Sequence, residues 1–332
     1  MLSQPILKIL DTIQTSDPQE HANLVVLPLR HRGPAGPAYI TLSEALAEDL
    51  LQVTEVDEGG SVNHLRVTNR ADRPVLLLDG ETLRGAKQNR VLNTTVLLAA
   101  GTETILPVSC VEHGRWSWRS RHFDDADTVM FSSGRARKMA SVSFSLAERG
   151  VHASDQAEVW EEVARLERTV GVRSETGDMD AVYDGTRDTL ESYLEASPLV
   201  EEQTGLLALV NGRPLSLELV SRPEAYRHLH QRLLRSVAME ALLRRRAERR
   251  HREGRNSWDP RETAAAFIRN LREGRDDPRP AVALGTDHRL SADGATGLAL
   301  EHEGAVIHLA ALADPDREKR RPAAPGEWRD LR

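Results

Sequence analysis

Residues 81–93 hold Glu81, Arg84, Lys87, Gln88, Asn89, Arg90 and Asn93, a density of charged and amide side chains that a plain connecting loop does not need. Their chemistry is that of anion recognition. Arg84, Lys87 and Arg90 can neutralise a phosphate or a carboxylate, and Gln88, Asn89 and Asn93 add neutral hydrogen bonds. Glu81 can accept from a ribose hydroxyl or act as a base. Gly80 and Gly85 allow backbone conformations closed to other residues and a close approach to a ligand. The competing reading is an internal network of salt bridges and hydrogen bonds that closes the end of a sheet.

Composition singles out one of these residues. Among 44 basic residues only Lys8, Lys87, Lys138 and Lys319 are lysines. A chain this rich in arginine accepts guanidinium wherever a positive charge is enough, so Lys87 marks a place for a compact ammonium. The alternative is that this lysine survives by chance.

The elements that must position the cluster follow from periodicity. Short apolar runs at 75–78 and 96–98 read as buried strands on either side of it. Ile6, Leu7, Ile9, Leu10 and Ile13 follow helical spacing. Residues 24–27 form a strand, 41–51 a helix, and 53–56 and 64–67 two short strands about a turn at 58–61. A further strand follows the turn at Gly101 and Thr102. Trp116 and Trp118 alternate, so both indoles share a face if the stretch is extended; they can form a stacking surface for a base, but core packing is expected of at least one. The pattern turns helical at 135–148. Asp155 caps the next helix, with Glu158 placed for a capping box, and Asp178 caps a third that carries Val182, Leu190 and Leu194. Strands at 206–210 and 215–219 flank Asn211 and Gly212, a hairpin turn signal. A long helix over 223–253, a short one at 263–272 and strands at 281–284 and 305–309 complete the chain. The charged tail after Asp314 reads as disordered. The expected fold class is α+β: one domain over residues 1–314, with an antiparallel β-rich portion at 20–122 packed on a helical and mixed α/β remainder.

Composition bounds the function. A net charge of −7 argues against nucleic acid as the partner of the whole surface. With one cysteine, Cys110, neither an intramolecular disulfide nor a cysteine-built zinc site is possible. No N-terminal signal-peptide pattern is present, and no apolar run approaches the roughly 18–20 residues that span a bilayer. The expected location is the cytoplasm, with no membrane partner. P-loop, dinucleotide-fingerprint, zinc-protease and nucleophile-elbow motifs are missing. Cys110 reads as buried and structural, since His113, three positions on in an extended stretch, faces the other way. Glu112 and His113 with the acidic run at 122–127 offer metal-type ligands, but a solvated turn explains the run, and no metal site is assigned. The arginine-rich run at 244–255 ends a helix, where cations suit the dipole.

Several blocks together resemble a known family. They are Gly80-Glu81, Gly85-Ala86-Lys87-Gln88-Asn89-Arg90, Asn93-Thr94, Pro107-Val108-Ser109-Cys110-Val111-Glu112 and Gly114-Arg115-Trp116. Gln156 with Val159-Trp160, and Asn211-Gly212 before a leucine-rich helix, fit as well. The chain is similar, over roughly residues 20–310, to the ARG (ADP-ribosylglycohydrolase) and Rhodanese-Phosphatase-superfamily-associated domain. His113 departs from the pattern, so no role is carried to it. The resemblance implies association with ADP-ribose and phosphate chemistry and fixes neither a reaction nor a cofactor.

Two readings follow. In the first, the 80–93 and 110–116 motifs bind, and can hydrolyse, a phosphorylated nucleoside related to NAD or ADP-ribose. Glu81 and Glu112 are then the catalytic residues, and Arg84, Lys87, Gln88, Asn89, Arg90, Asn93, Arg115 and Trp116 bind the ligand. In the second, the same surface belongs to a non-catalytic accessory or protein-interaction module. Convergence of Glu81, Lys87, Arg90, Glu112 and Arg115 in a cleft, with Lys87 in reach of Glu81 or Glu112, marks the first; spread over a flat surface marks the second.

Overall fold

Ile6, Ile9 and Leu10 share one side of the first helix, α1 (Gln4–Thr12), and bury it, as a 3.6-residue period requires. This is the first element of a computed structural model that describes residues 1–57, 59–247 and 258–316. The short strands β1 (Gln14–Thr15) and β2 (Gln19–His21) both pair with β3 (Leu24–Arg30). All of β3 but Arg30 is buried, which suits its unbroken apolar run. β4 (Ile40–Thr41) leads into α2 (Leu42–Ala47), where Thr41 and Glu44 make a reciprocal capping box. β5 (Leu51–Glu55) and β6 (His64–Asn69) pair antiparallel about the expected turn, whose Glu58 lies outside the described residues.

Next come β7 (Val75–Leu77), β8 (Glu81–Gly85), β9 (Arg90–Leu92) and β10 (Val96–Leu98). β7 pairs with β10, and β8 with β9, so the expected polar loop is itself a hairpin enclosed by the buried strands. β11 (Glu103–Cys110) pairs with β6 through its first half and with β9 through its last three residues. The acidic run expected as a solvated turn is instead β12 (Phe123–Val129), paired with β8. Burial of Phe123 and Val129 at its two ends draws the run into the sheet. Its register shifts between Asp125 and Val129, which makes a bulge.

Helices follow: α3 (Ser132–Arg149), α4 (Gln156–Val170), α5 (Met179–Gly185) and α6 (Arg187–Glu195). Asp155 caps α4 by accepting from the N–H groups of Ala157 and Glu158, but its own N–H donates to Ser141 Oγ, so the expected capping box is one-sided. The single helix expected after Asp178 is two, α5 and α6, which meet at Thr186. β13 (Gly205–Val210) and β14 (Arg213–Val220) turn through Asn211 and Gly212, both at positive φ, as a two-residue hairpin demands. Then come α7 (Pro223–Ala247), α8 (Pro260–Arg272), β15 (Arg275–Pro280), β16 (Thr286–Ala292), β17 (Ala295–His302) and β18 (Ala305–Ala313). The expected strand at 281–284 is a connection. Sequence periodicity misses β15 and β16, where Pro278, Pro280 and the charged run Asp287-His288-Arg289 hide them, and it also misses β17. Much of the 244–255 run and of the tail after Asp314 lies outside the described residues.

The fold is α+β. One antiparallel sheet runs β1-β3-β13-β14-β18-β17-β16-β15, a second β12-β8-β9-β11-β6-β5, and a third β10-β7-β4. The first sheet therefore joins an N-terminal strand to the C-terminal ones. Ile6 of α1 and Phe267 of α8 pack with Leu27, Leu207, Leu217 and Leu309 of that sheet. Leu233 and Val237 of α7 pack with Leu206, Ala208 and Val220 of the same sheet. No helix among the described residues is long and apolar enough to cross a membrane.

Charged groups are buried where α3 meets the sheets. Lys138 Nζ donates to Asp79 and, at 2.8 Å, to the Leu92 carbonyl. Arg135 donates to Asp79 at 3.2 Å and to Glu218 at 2.6 Å, and Glu218 lies 3.2 Å from His308. His308 meets Thr95 at 2.8 Å. Burial pushes both acids up, but the facing cations outweigh it and hold Asp79 and Glu218 below their usual values. Lys138→Met keeps most of the stem but strands a buried carboxylate. Its urea midpoint should report a loss of about 3–5 kcal/mol, and a loss near zero would show that this ion layer is not what ties α3 to the β7–β10 region.

Candidate functional site

The β8–β9 hairpin turns through Gly85, Ala86, Lys87, Gln88 and Asn89. Gly85 has φ 140°, and a Cβ there would sit 2.6 Å from the His122 carbonyl, so only glycine fits. Asn89, fully buried, is the centre of the turn. Its Oδ1 accepts from Gly85 N–H at 3.1 Å and from Arg115 at 3.3 Å. Its Nδ2 donates to Asp178 at 3.0 Å and Asp180 at 3.3 Å, and its backbone N–H to Glu112 at 3.1 Å.

Glu112 and Arg115 complete this knot. Arg115 grips the Glu112 carboxylate through two bonds of 2.9 and 2.6 Å, and also donates to the Ala86 and Ser117 carbonyls. Thr176 donates to Glu112 at 2.8 Å. Burial alone would raise Glu112, but Arg115, Thr176 and the Asn89 N–H outweigh it and hold the carboxyl below its usual range. Burial, then the neighbouring Asp178, push Asp180 up to about 6, against Arg84 and Thr128.

Glu81 lies elsewhere. From the start of β8 it faces α7, accepting from Arg232 at 2.7 Å and from the Leu78 N–H at 2.7 Å. Arg232 also holds Asp125 and Asp127. Burial pushes Glu81 up to about 7, with Asp125 adding and Arg232 opposing. Arg84 turns to the other face of β8, toward Asp180 and Asp184, at 3.4 Å from each.

The tip of the hairpin has a third environment. Lys87 Nζ donates to the Gly59 carbonyl at 2.6 Å and lies 5.5 Å from the Trp116 ring and 5.0 Å from that of Trp118. The Arg90 guanidinium lies 5.6 Å from the Trp116 ring. It also donates to Gln88 and, at 3.4 Å, to Glu55. Both indoles approach the Lys87 ammonium, yet neither packs in the core: Trp116 is 46% and Trp118 51% exposed. The segment 114–121 has no regular structure, because Arg115 pins it to the hairpin turn rather than to a strand partner.

The expected residues thus fall in separate groups. Lys87, Gln88, Arg90 and Trp116 gather at the tip, and Glu112, Arg115 and Asn89 directly behind the turn. Glu81 and Arg84 take opposite faces of β8, and the contacts of Lys87 given above include neither Glu81 nor Glu112. Asn93 accepts from Ser109 at 2.8 Å and donates to the His152 carbonyl at 3.2 Å, a structural tie. Gln156 takes a role not assigned from the sequence. Its amide accepts from Cys110 N–H and donates to Cys110 C=O, both at 2.8 Å, as a missing strand neighbour would. Cys110 is buried, as expected, and burial pushes its thiol up to about 11. Glu55, Asp180 and Arg232 are further members that isolated residues with no motif do not reveal. No group of three or more His, Cys, Asp or Glu side chains among the described residues is arranged to hold a metal ion.

The model of the ARG and Rhodanese-Phosphatase-superfamily-associated Protein domain matches residues 12–312. Comparison with curated proteins and with solved structures gives no match.

The Glu81 environment makes stability depend on pH. Its folded-state value, about 7, lies above the ordinary 4.5, so the stabilisation from proton binding is complete below pH 4.5 and is lost as pH rises through 7. Glu81→Gln fixes the neutral form. Between about pH 5 and pH 8 the wild type should lose, relative to this variant, on the order of 3 kcal/mol of unfolding free energy. Urea titrations across that range measure the difference; parallel pH profiles would mean that Glu81 stays charged throughout.

Proposed function

The chain belongs to the ARG and Rhodanese-Phosphatase-superfamily-associated Protein domain family, and from that premise we propose that it binds a phosphorylated nucleoside related to NAD or ADP-ribose at the tip of the β8–β9 hairpin. One observation carries the reading: two half-exposed indoles flank the Lys87 ammonium, with the Arg90 guanidinium beside them. Indole faces stack on a base and add roughly 1–3 kcal/mol each. The cations complement phosphate oxygens. Beneath the indoles, Arg90 Nε and Glu55 Oε2 are buried and find no partner among the described residues. Unmet hydrogen-bonding capacity there is what a ligand's polar atoms would satisfy.

Binding is better supported than hydrolysis. Glu112 is ionised and fully engaged by Arg115, Thr176 and Asn89, and Glu81 faces α7 from a separate buried cluster. Within the proposal Glu112 positions the hairpin turn, Arg115 anchors the tryptophan segment, and Glu81 holds α7. The ligand is a small molecule and the protein works in the cytoplasm, in keeping with its one, buried thiol. The second reading, a non-catalytic accessory module that takes a protein partner, draws on the exposure of the same indoles, since aromatic side chains also anchor protein interfaces.

Titration of the protein with ADP-ribose and with AMP, followed by calorimetry and tryptophan fluorescence, separates the two. Lys87→Met should weaken binding by on the order of 1.5–3 kcal/mol, and Trp116→Ala should weaken it as well. If neither compound binds, or if Lys87→Met lowers the melting temperature but leaves affinity unchanged, Lys87 is a structural tie and the nucleoside reading fails.

A further inference from the structure

A cleft of about 320 Å3 opens beside β8, and neither indole lines it. Arg84 of β8, Arg187 of α6 and Arg235 of α7 line it, with Asp127, Asp184 and Glu191. Three guanidiniums thus reach one space from three different elements. Each is held by a carboxylate that also serves another arginine. Asp184 is shared by Arg84 and Arg187, and Asp127 by Arg232 and Arg235. Sharing leaves each fork partly spent. Arg187 uses only Nη2, Arg235 only Nη1, and Arg84 Nε and Nη2 through long contacts of 3.4 Å. The remaining N–H groups of these three side chains meet no acceptor among the described residues.

The backbone is bent to build this wall. Asp127 sits at φ 54° in the β12 bulge, a left-handed conformation that a residue with a side chain adopts at a cost. In return its carboxylate orients both Arg232 and Arg235. Guanidiniums oriented in advance lose little freedom when an anion arrives, and their planar forks suit the paired oxygens of a phosphate group.

We propose that this cleft is a second binding site, for a diphosphate anion held by Arg84, Arg187 and Arg235. A diphosphate matches it better than a single phosphate, because the donors stand on three walls of the space and a second phosphoryl group lets one ligand meet them all. Glu191 has no cation partner among the described residues, and its carboxylate sits in the same lining. It opposes the anion. The site does not rest on the nucleoside reading of the hairpin tip and shares no residue with the indole platform.

Inorganic pyrophosphate is the probe, titrated calorimetrically into the full chain at constant ionic strength. Saturable binding to one site is expected. Arg187→Glu should weaken it by roughly tenfold or more, as loss of a charge-assisted hydrogen bond predicts. The Arg187 side chain is 74% exposed, so the substitution leaves the core untouched. Glu191→Gln should tighten binding severalfold, and Arg66→Ala, which removes an exposed arginine on β6, should leave it unchanged. No saturable binding overturns the proposal. So does binding that Arg187→Glu leaves intact, that Glu191→Gln fails to tighten, or that Arg66→Ala weakens equally.

Discussion

Arg135 and Lys138 leave α3 one turn apart on the same side, and both meet Asp79 in the interior. Much of the architecture follows from that meeting. A cation inside a protein is tolerable only when an opposite charge and further acceptors reach it, so three pieces of chain must arrive together. Asp79 comes from the connection between β7 and β8, the Leu92 carbonyl from the end of β9, and Glu218 with His308 from the large sheet. The same contact decides a neighbouring residue. A Cβ on Gly80 would lie 2.6 Å from the Arg135 side chain, and Gly80 sits at φ 84°, so the first residue of the Gly80-Glu81 motif is a glycine for packing reasons. Its carbonyl then accepts from Met130 N–H at 2.8 Å, which sets where β12 leaves the hairpin.

From that anchor the hairpin runs outward to its turn, where Asn89 has every polar group used. A satisfied, fully buried amide makes the turn rigid, and rigidity is what lets the tip present Lys87 and Arg90 at fixed distances from two indoles. The division of labour is therefore one of satisfied against unsatisfied groups. Asn89, Arg115, Glu112, Asn93 and Gln156 are spent on holding the backbone. Arg90 Nε and Glu55 Oε2 still have bonds to make.

The long, strongly periodic helices were legible in the sequence, as were the Asn211-Gly212 hairpin and the concentration of polar residues at 81–93. What periodicity could not show was that the polar run is paired backbone: in a hairpin buried on both faces, alternation no longer separates inside from outside. The acidic strand β12 was missed for a different reason: two of its charges, Asp125 and Asp127, are neutralised by Arg232 and Arg235 arriving from distant sequence. Among the lysines, the most tightly enclosed ammonium is that of Lys138. An arginine-rich chain keeps lysine where a small ammonium must fit, and Lys138, wholly buried between Asp79 and a carbonyl, is that place. Lys87, under two indoles, fits the argument as a cation beside aromatic faces.

The two acids chosen from the sequence remain instructive as a pair. Their environments do push their proton affinities apart, Glu81 to about 7 and Glu112 below its usual range, the pattern that marks an acid and a base in many active sites. Chemistry needs more than that separation, because both groups must reach one reacting atom. Here Glu81 points at α7 through Arg232, and Glu112 points at the hairpin turn through Arg115 and Asn89. Each value is explained by its own neighbours: desolvation beside Asp125 in one case, four donated hydrogen bonds in the other. The split between them records two structural environments on one hairpin.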